Sequence, residues 1–420
     1  MTKFACLLVC IAHLAVAQTK DVNFYWTESK RFSTEKDYPQ ALAMMMEANK
    51  LHPYHQGVLY QLGVLSALNN KPEESIKNLS KAIRINSGYK LADNADLASL
   101  KDRSDFRDLL ELQKKLTETQ IHSDTAFTVK DRTLHIESVT HDPRTGSFYL
   151  GSLHQRKIVK VDKAGVAKDF TTSAQDGLTA VFGVRVDPKG KFLWACSSPV
   201  EEMMNYDSTA QSAVSQYDLK TGKLLKQYRP TAKTHHLFGD LTINSVGDVF
   251  VSDSKNNAIF KVNQISGSLD LYFDSEEFWN IQGITFSTDN RYLFISDYIK
   301  GPFRLDMQTR QLVKLTSSIE SSLKGIDGMV FYNGSLVVLQ NGTYPLRATK
   351  YLLNPGMDAV TNATIIDQAH PAMNEPTIGT IDNDVFYYVA NSQWGGYDDN
   401  HKIKAASELQ DIVVLKFRLH

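Results

Sequence analysis

Few residues of this chain stand at spacings that do chemistry by themselves. His235 and His236 are adjacent with no third ligand close by, a pattern commoner in loops than in zinc sites. His135 and His141 lie six apart. On a strand, where side chains alternate, both would face one side, and that is no recognised metal spacing. Cys196 ends the run Phe192-Leu193-Trp194-Ala195-Cys196, a strand pattern in which a lone thiol behaves as a small buried apolar group. Glu137 reads as a strand-end charge, while Asp240 and Asp327 sit in turn-like contexts where aspartate caps backbone N–H groups. Trp394 precedes Gly395-Gly396, which suggests a flexible loop carrying a ring that could stack on a ligand or shield the core. The chain lacks a phosphate-binding glycine loop, a Gly-x-Ser-x-Gly elbow, His-Glu-x-x-His and paired cysteines. No catalytic residue can be named from motifs alone.

The totals exclude some partners. With 420 residues and a net charge of −1, the chain has no overall field to draw nucleic acid or an acidic membrane surface. Residues 1–17 read as an export signal. Lys3 supplies the positive start, Phe4–Ala17 is apolar but for His13, and Ala15-Val16-Ala17 supplies the small-x-small cleavage pattern. The run falls short of the roughly 20 residues that span a bilayer. The expectation is a periplasmic or extracellular protein with no membrane span. Cys6 and Cys10 lie within the signal, so the remainder keeps only Cys196 and forms no internal disulfide.

What positions the chemistry-bearing residues is a change of grammar along the chain. Ala41, Met45, Ala48 and Pro53 recur 34 residues later as Ser75, Leu79, Ala82 and Ser87, with Leu62-Gly63 ahead of the second copy. This spacing over Val22–Ile85 resembles the tetratricopeptide repeat, where small residues let two antiparallel helices approach closely. Asp96–Leu100, with Phe106, Leu109 and Leu110, continues the helical period as a capping segment. Residues 18–120 are therefore expected to form a small all-α domain, either a groove for a protein partner or a packing spacer. Met44-Met45-Met46 is read as helix core.

Beyond about Gln120 the period becomes alternating. Six β-rich runs begin at Phe148, Leu193, Val249, Leu293, Leu336 and Phe386, 43 to 56 residues apart, each preceded by a turn such as Asp187-Pro188-Lys189-Gly190. Periods near 45 with several strands per unit mark a propeller. Residues 121–420 are expected to form six blades. The late strand Asp411–Phe417 should share a blade with Ala126–Lys130, closing the ring and removing exposed edges.

Four short motifs at blade spacing carry a resemblance. His135-Ile136-Glu137-Ser138, Phe238-Gly239-Asp240-Leu241, Ile281-Gln282-Gly283-Ile284 and Ile326-Asp327-Gly328-Met329 resemble those of the gluconolactonase/regucalcin family of calcium-dependent six-bladed propellers. The resemblance covers about Thr125 to His420. It implies that Glu137, Asp240, Gln282 and Asp327 hold calcium at the mouth of the central channel, where a hard cation gathers 6 to 8 oxygens and polarises an ester or lactone carbonyl. Glu137 and Asp327 match the family pattern. Gly239 stands where an asparagine is expected, and Gln282 where another is, one methylene longer. Asp240 is expected to turn inward in compensation, and His135, His235, His236, Glu375 and Trp394 to contact a ligand at the mouth. The resemblance implies a hydrolase of small lactones or esters. The alternative is a non-catalytic scaffold that combines helical repeat and propeller.

Overall fold

The computed structural model describes residues 21–231 and 234–419. The segment read as an export signal lies outside them. The chain divides into two compact units. One holds the helices up to Leu79 with Asn94–Asp102, and the other holds Ser80–Asp93 with the chain from Arg103 onward.

The helical unit shows why small residues recur at 34. Helices α1 (Val22–Thr34) and α2 (Tyr38–Leu51) form one hairpin; α3 (Gln56–Leu68) and α4 (Pro72–Ile85) follow. Asp21 and Asp37 cap α1 and α2 by accepting from the N–H groups of Phe24 and Gln40. In the first hairpin Ser29 Oγ donates to Ala41 O at 2.9 Å. In the second, Ser75 Oγ donates to Gly63 O at 2.7 Å. Ser29 and Gly63 are 34 apart, as are Ala41 and Ser75, so the hydroxyl has changed sides of the same contact. A Cβ on Gly63 would lie 2.5 Å from Leu79 Cγ, which leaves room only for glycine. The expected capping segment is a 3-10 turn, Ala95–Leu100, with Leu97 and Leu100 buried.

Helix α5 (Ser104–Thr117) belongs to the other compact unit, so the division does not fall at residue 120 as the sequence suggested. Its hydrogen bonds give the reason. Gln113 Nε2 donates to Ser87 O at 2.8 Å, and Gln368 Nε2 donates to Glu118 O at 2.8 Å.

That unit is a six-bladed β-propeller of antiparallel sheets. The inner strands are Ile136–Asp142, Ala180–Val186, Phe238–Ile243, Ile281–Phe286, Ile326–Tyr332 and Gly379–Asp382, for blades one to six. Blade five is widened by Gln120–Ile121 and Thr316–Ser317. Blade six is completed as expected: Asp124–Val129 pairs with Ile412–Arg418, with Phe127 opposite Val414 and Val129 opposite Ile412. Aromatic rings fill the wedges between blades. Phe250 meets Phe286 edge-on, and Phe294 stacks on Phe331 at 5.6 Å. Cys196 is fully buried in one such wedge, as read from its strand, and burial pushes its thiol well up. Among the described residues no helix is long and apolar enough to cross a membrane.

Candidate functional site

In five blades the register of the inner strand slips near its start, at Ile136/Ser138, Val181/Gly183, Phe238/Leu241, Ile281/Ile284 and Ile326/Met329. A bulge leaves a residue unpaired and re-aims its side chain. Glu137, Phe182, Gly239, Gln282 and Asp327 stand at these slips and, with Ile378 of blade six, line a cavity of 340 Å³. Each blade thus contributes one residue to a ring.

Asp240 is not in that ring. Blades four and five read Gln282-Gly283 and Asp327-Gly328, whereas blade three reads Gly239-Asp240, the polar residue one place later. One place flips a strand side chain to the other side. Asp240 therefore occupies the glycine position, where neighbouring inner strands meet. A Cβ on Gly283 would lie 2.5 Å from Asp327 O, and one on Gly328 2.4 Å from Thr377 O. Asp240 is 1% exposed; its Oδ1 accepts from Arg185 Nη2 at 3.1 Å and from Leu241 N–H at 2.8 Å, and its Oδ2 from Ile284 N–H at 3.3 Å. Burial pushes its carboxyl up and Arg185 pulls it down. The expected inward turn does not occur, because this side chain ties three blades together.

The remaining ring residues build a polar wall. Glu137, buried, has His135 Nε2 at 3.0 Å from its Oε1, which also accepts from Ser392 Oγ. Gln282 Nε2 donates to Asn280 Oδ1 at 2.6 Å. Its Oε1 then lies 3.6 Å from where a Gly239 Cβ would stand, so the longer glutamine reaches toward the space the missing side chain leaves. Asn341 Nδ2 donates to Asp327 Oδ2, and Tyr298 O–H to Asn341 Oδ1 at 2.9 Å. Burial, and next the Glu137 carboxylate, push the Asp327 carboxyl up to about 8 against the pull of Asn341; Asp240 and Glu375 add to the push. Burial likewise raises Glu375, with Glu137 adding to it, while the Trp394 N–H that donates to its Oε2 works the other way. Glu375 holds a left-handed backbone, φ 61°, a conformation that a non-glycine residue adopts at a cost of about 1–3 kcal/mol.

The other expected contacts divide. Trp394 lines the cavity and packs edge-on against His135 at 4.7 Å. His135 itself is buried behind Glu137, with Nδ1 2.6 Å from Tyr397 Oη. His235 and His236 do not reach the mouth. They line a separate cavity with Ser212 and Pro230, because Asp253 Oδ2 holds His236 Nδ1 at 2.6 Å. Sequence reasoning missed Phe182, Val200, Leu237, Ser254, Asn280, Tyr298, Asn341 and Ile378. A signal for three was present: Ser254, Tyr298 and Asn341 each follow the last residue of a second strand that was recognised.

Apart from the Trp394 indole, every polar side chain in the lining carries an oxygen, as a hard cation requires. Among the described residues no three of His, Cys, Asp and Glu gather closely enough to hold an ion. A site here would have the carboxylates of Glu137 and Asp327 and would take its other oxygens from amides and water.

No protein-family model matches the chain, and no curated protein matches it. Solved structures similar to it include a gluconolactonase from Xanthomonas campestris, 11% identical, covering 72% of this chain and 91% of its own, with a TM-score of 0.48. An aldose sugar dehydrogenase with bound PQQ from Streptomyces coelicolor is 13% identical and covers 72% and 98%, with a TM-score of 0.48. A streptogramin B lyase is 13% identical and covers 71% and 97%, with a TM-score of 0.47. At this level of likeness the chemistry has to be read from the chain's own residues.

Proposed function

We propose that the channel cavity is the active site of an exported hydrolase of small esters or lactones, with calcium held by Glu137, Gln282 and Asp327. The observation that carries the reading is that Glu137, Asp327 and Glu375 line one cavity with amide oxygens of Gln282 and Asn341 and with no lysine or arginine. Bound there, the ion would supply a Lewis acid for the carbonyl oxygen. Asp327, protonated at neutral pH in its absence, would give up that proton on binding. Gln282 and Asn341 orient by their amides, and Trp394 limits access of bulk water.

Glu375 is the base in this proposal. A raised carboxyl is the stronger proton acceptor, and the Trp394 N–H fixes one of its oxygens. It takes a proton from water as the water oxygen bonds to the carbonyl carbon. It returns that proton to the alkoxide as the carbon–oxygen ester bond breaks, giving an acid and an alcohol, or one hydroxy acid from a lactone.

The test is hydrolysis of an ester and lactone panel with calcium and with chelator. Turnover that needs calcium and falls about 100-fold or more in Glu375→Gln supports the reading. Absence of turnover across the panel overturns it. A binding site without turnover is the second reading, favoured by Gly239, which offers no side-chain donor where the family resemblance places one. Calcium-dependent ligand binding without turnover would establish it.

A further inference from the structure

The cavity has two unlike walls, and this bears on what fits. Asn280, Gln282, Tyr298, Asp327, Asn341 and Glu375 form the polar side. Phe182, Val200, Leu237 and Trp394 form the other, and all four belong to one hydrophobic cluster that runs down between blades two and three. Phe182 is decisive, because it stands at the register slip where blade one presents Glu137 and blade five presents Asp327. A bulge that aims a polar side chain at the axis in three blades aims a phenyl ring in this one.

A polyhydroxylated ligand would leave hydroxyls desolvated against these four side chains without partners, which disfavours its binding. An anionic group would meet the carboxylates of Glu137, Asp327 and Glu375 and no lysine or arginine side chain. An alkyl or aryl group would bury apolar surface on the apolar wall while its carbonyl reached the polar one. We propose that the substrate is an uncharged ester or lactone carrying an alkyl or aryl group of several carbons, seated against Phe182, Val200, Leu237 and Trp394, with its carbonyl toward Asp327. This rests on the hydrolase reading for the reaction but on the apolar wall alone for the ligand.

The experiment uses the full chain with p-nitrophenyl acetate, butyrate and hexanoate, and with gluconolactone as the hydroxylated competitor. A second readout is quenching of tryptophan fluorescence by hexanamide, which cannot turn over as an ester, with Trp394→Phe as the control. We expect kcat/KM to rise with chain length by up to about fourfold per methylene, and hydroxylated lactone to be the poorer substrate. Val200→Ser and Phe182→Leu should flatten the series and weaken quenching; circular dichroism confirms that each variant is folded. Hydrolysis with a flat or falling series, or with gluconolactone preferred, overturns this inference and leaves the hydrolase reading standing. Saturable quenching that Val200→Ser weakens, with no ester hydrolysed, retains the apolar subsite and removes the hydrolase. Neither quenching nor hydrolysis overturns both.

Discussion

Asp327→Asn, measured in chelator, isolates one carboxyl that the fold holds against its preference. The Asp327 carboxyl lies at about 8 in the folded chain, against 3.8 for a free aspartate. Between these values the folded state keeps a proton that the unfolded state has lost, so stability must fall as pH rises. The slope is about 1.4 kcal/mol per pH unit until the folded group titrates. From about pH 6 to pH 8 the loss attributable to this residue is about 2 kcal/mol. Asparagine has nearly the shape of a protonated aspartate and cannot ionise, so the variant should lack that part of the slope. Other groups titrate in the same window. Lys324, which burial lowers to about 7, acts in the opposite direction above that value. The difference between the two proteins cancels these contributions. The assay is urea unfolding at the two pH values, with midpoints converted through a common slope. If both proteins lose the same stability between them, within about 0.5 kcal/mol, the account of Asp327 as a half-buried carboxyl facing Glu137 and Glu375 is wrong.

Other expectations follow from single contacts. Gly239→Asn should fold, because its Cβ would meet only Gln282 Oε1 at 3.6 Å and Ser252 Oγ at 4.0 Å. It should tighten calcium about tenfold, equivalent to about 1.4 kcal/mol; calorimetry showing no change would remove Gly239 as the missing donor. Arg185→Met should destabilise by about 3–5 kcal/mol by stranding the buried Asp240, and a second change, Asp240→Asn, should recover much of it in urea unfolding. Gly63→Ala should cost about 1–3 kcal/mol, read as a drop in melting temperature of the helical signal, because the new methyl overlaps Leu79.

The propeller was legible because its cues are local. Turns such as Asp187-Pro188-Lys189-Gly190 sit between strands of clear alternation, and the pairing of Asp124–Val129 with Ile412–Arg418 follows from the need to cover two edges. The helical hairpins were legible through small residues at a fixed interval. The cavity was legible only in part. Glu137, Gln282, Asp327, Glu375 and Trp394 were singled out and do line it. Asp240 was misplaced because its partner, Arg185, comes from another blade, and because a shift of one residue reverses the side a strand residue faces. His235 and His236 lie within four residues of the ring residue Gly239, yet Asp253 draws His236 elsewhere. The rest of the apolar wall escaped because Phe182, Val200 and Leu237 come from distant positions, each ordinary in its own context.

Blade six has a consequence for how the ring comes into being. Its outer strand is Asp124–Val129 and its other three lie after Ile378, so the first and last parts of the propeller share one sheet. Five blades can be made in order as the chain lengthens, but the sixth waits for Ile412–Arg418. Until then Asp124–Val129 has no partner within its own blade, and Glu137 lacks Ser392 from the far side of that gap. Contacts of such long sequence separation form slowly. The ring is thus latched rather than welded: assembly of the cavity and closure of the circle are one late event, and any agent that unzips those two strands should disarm the site before the other blades unfold.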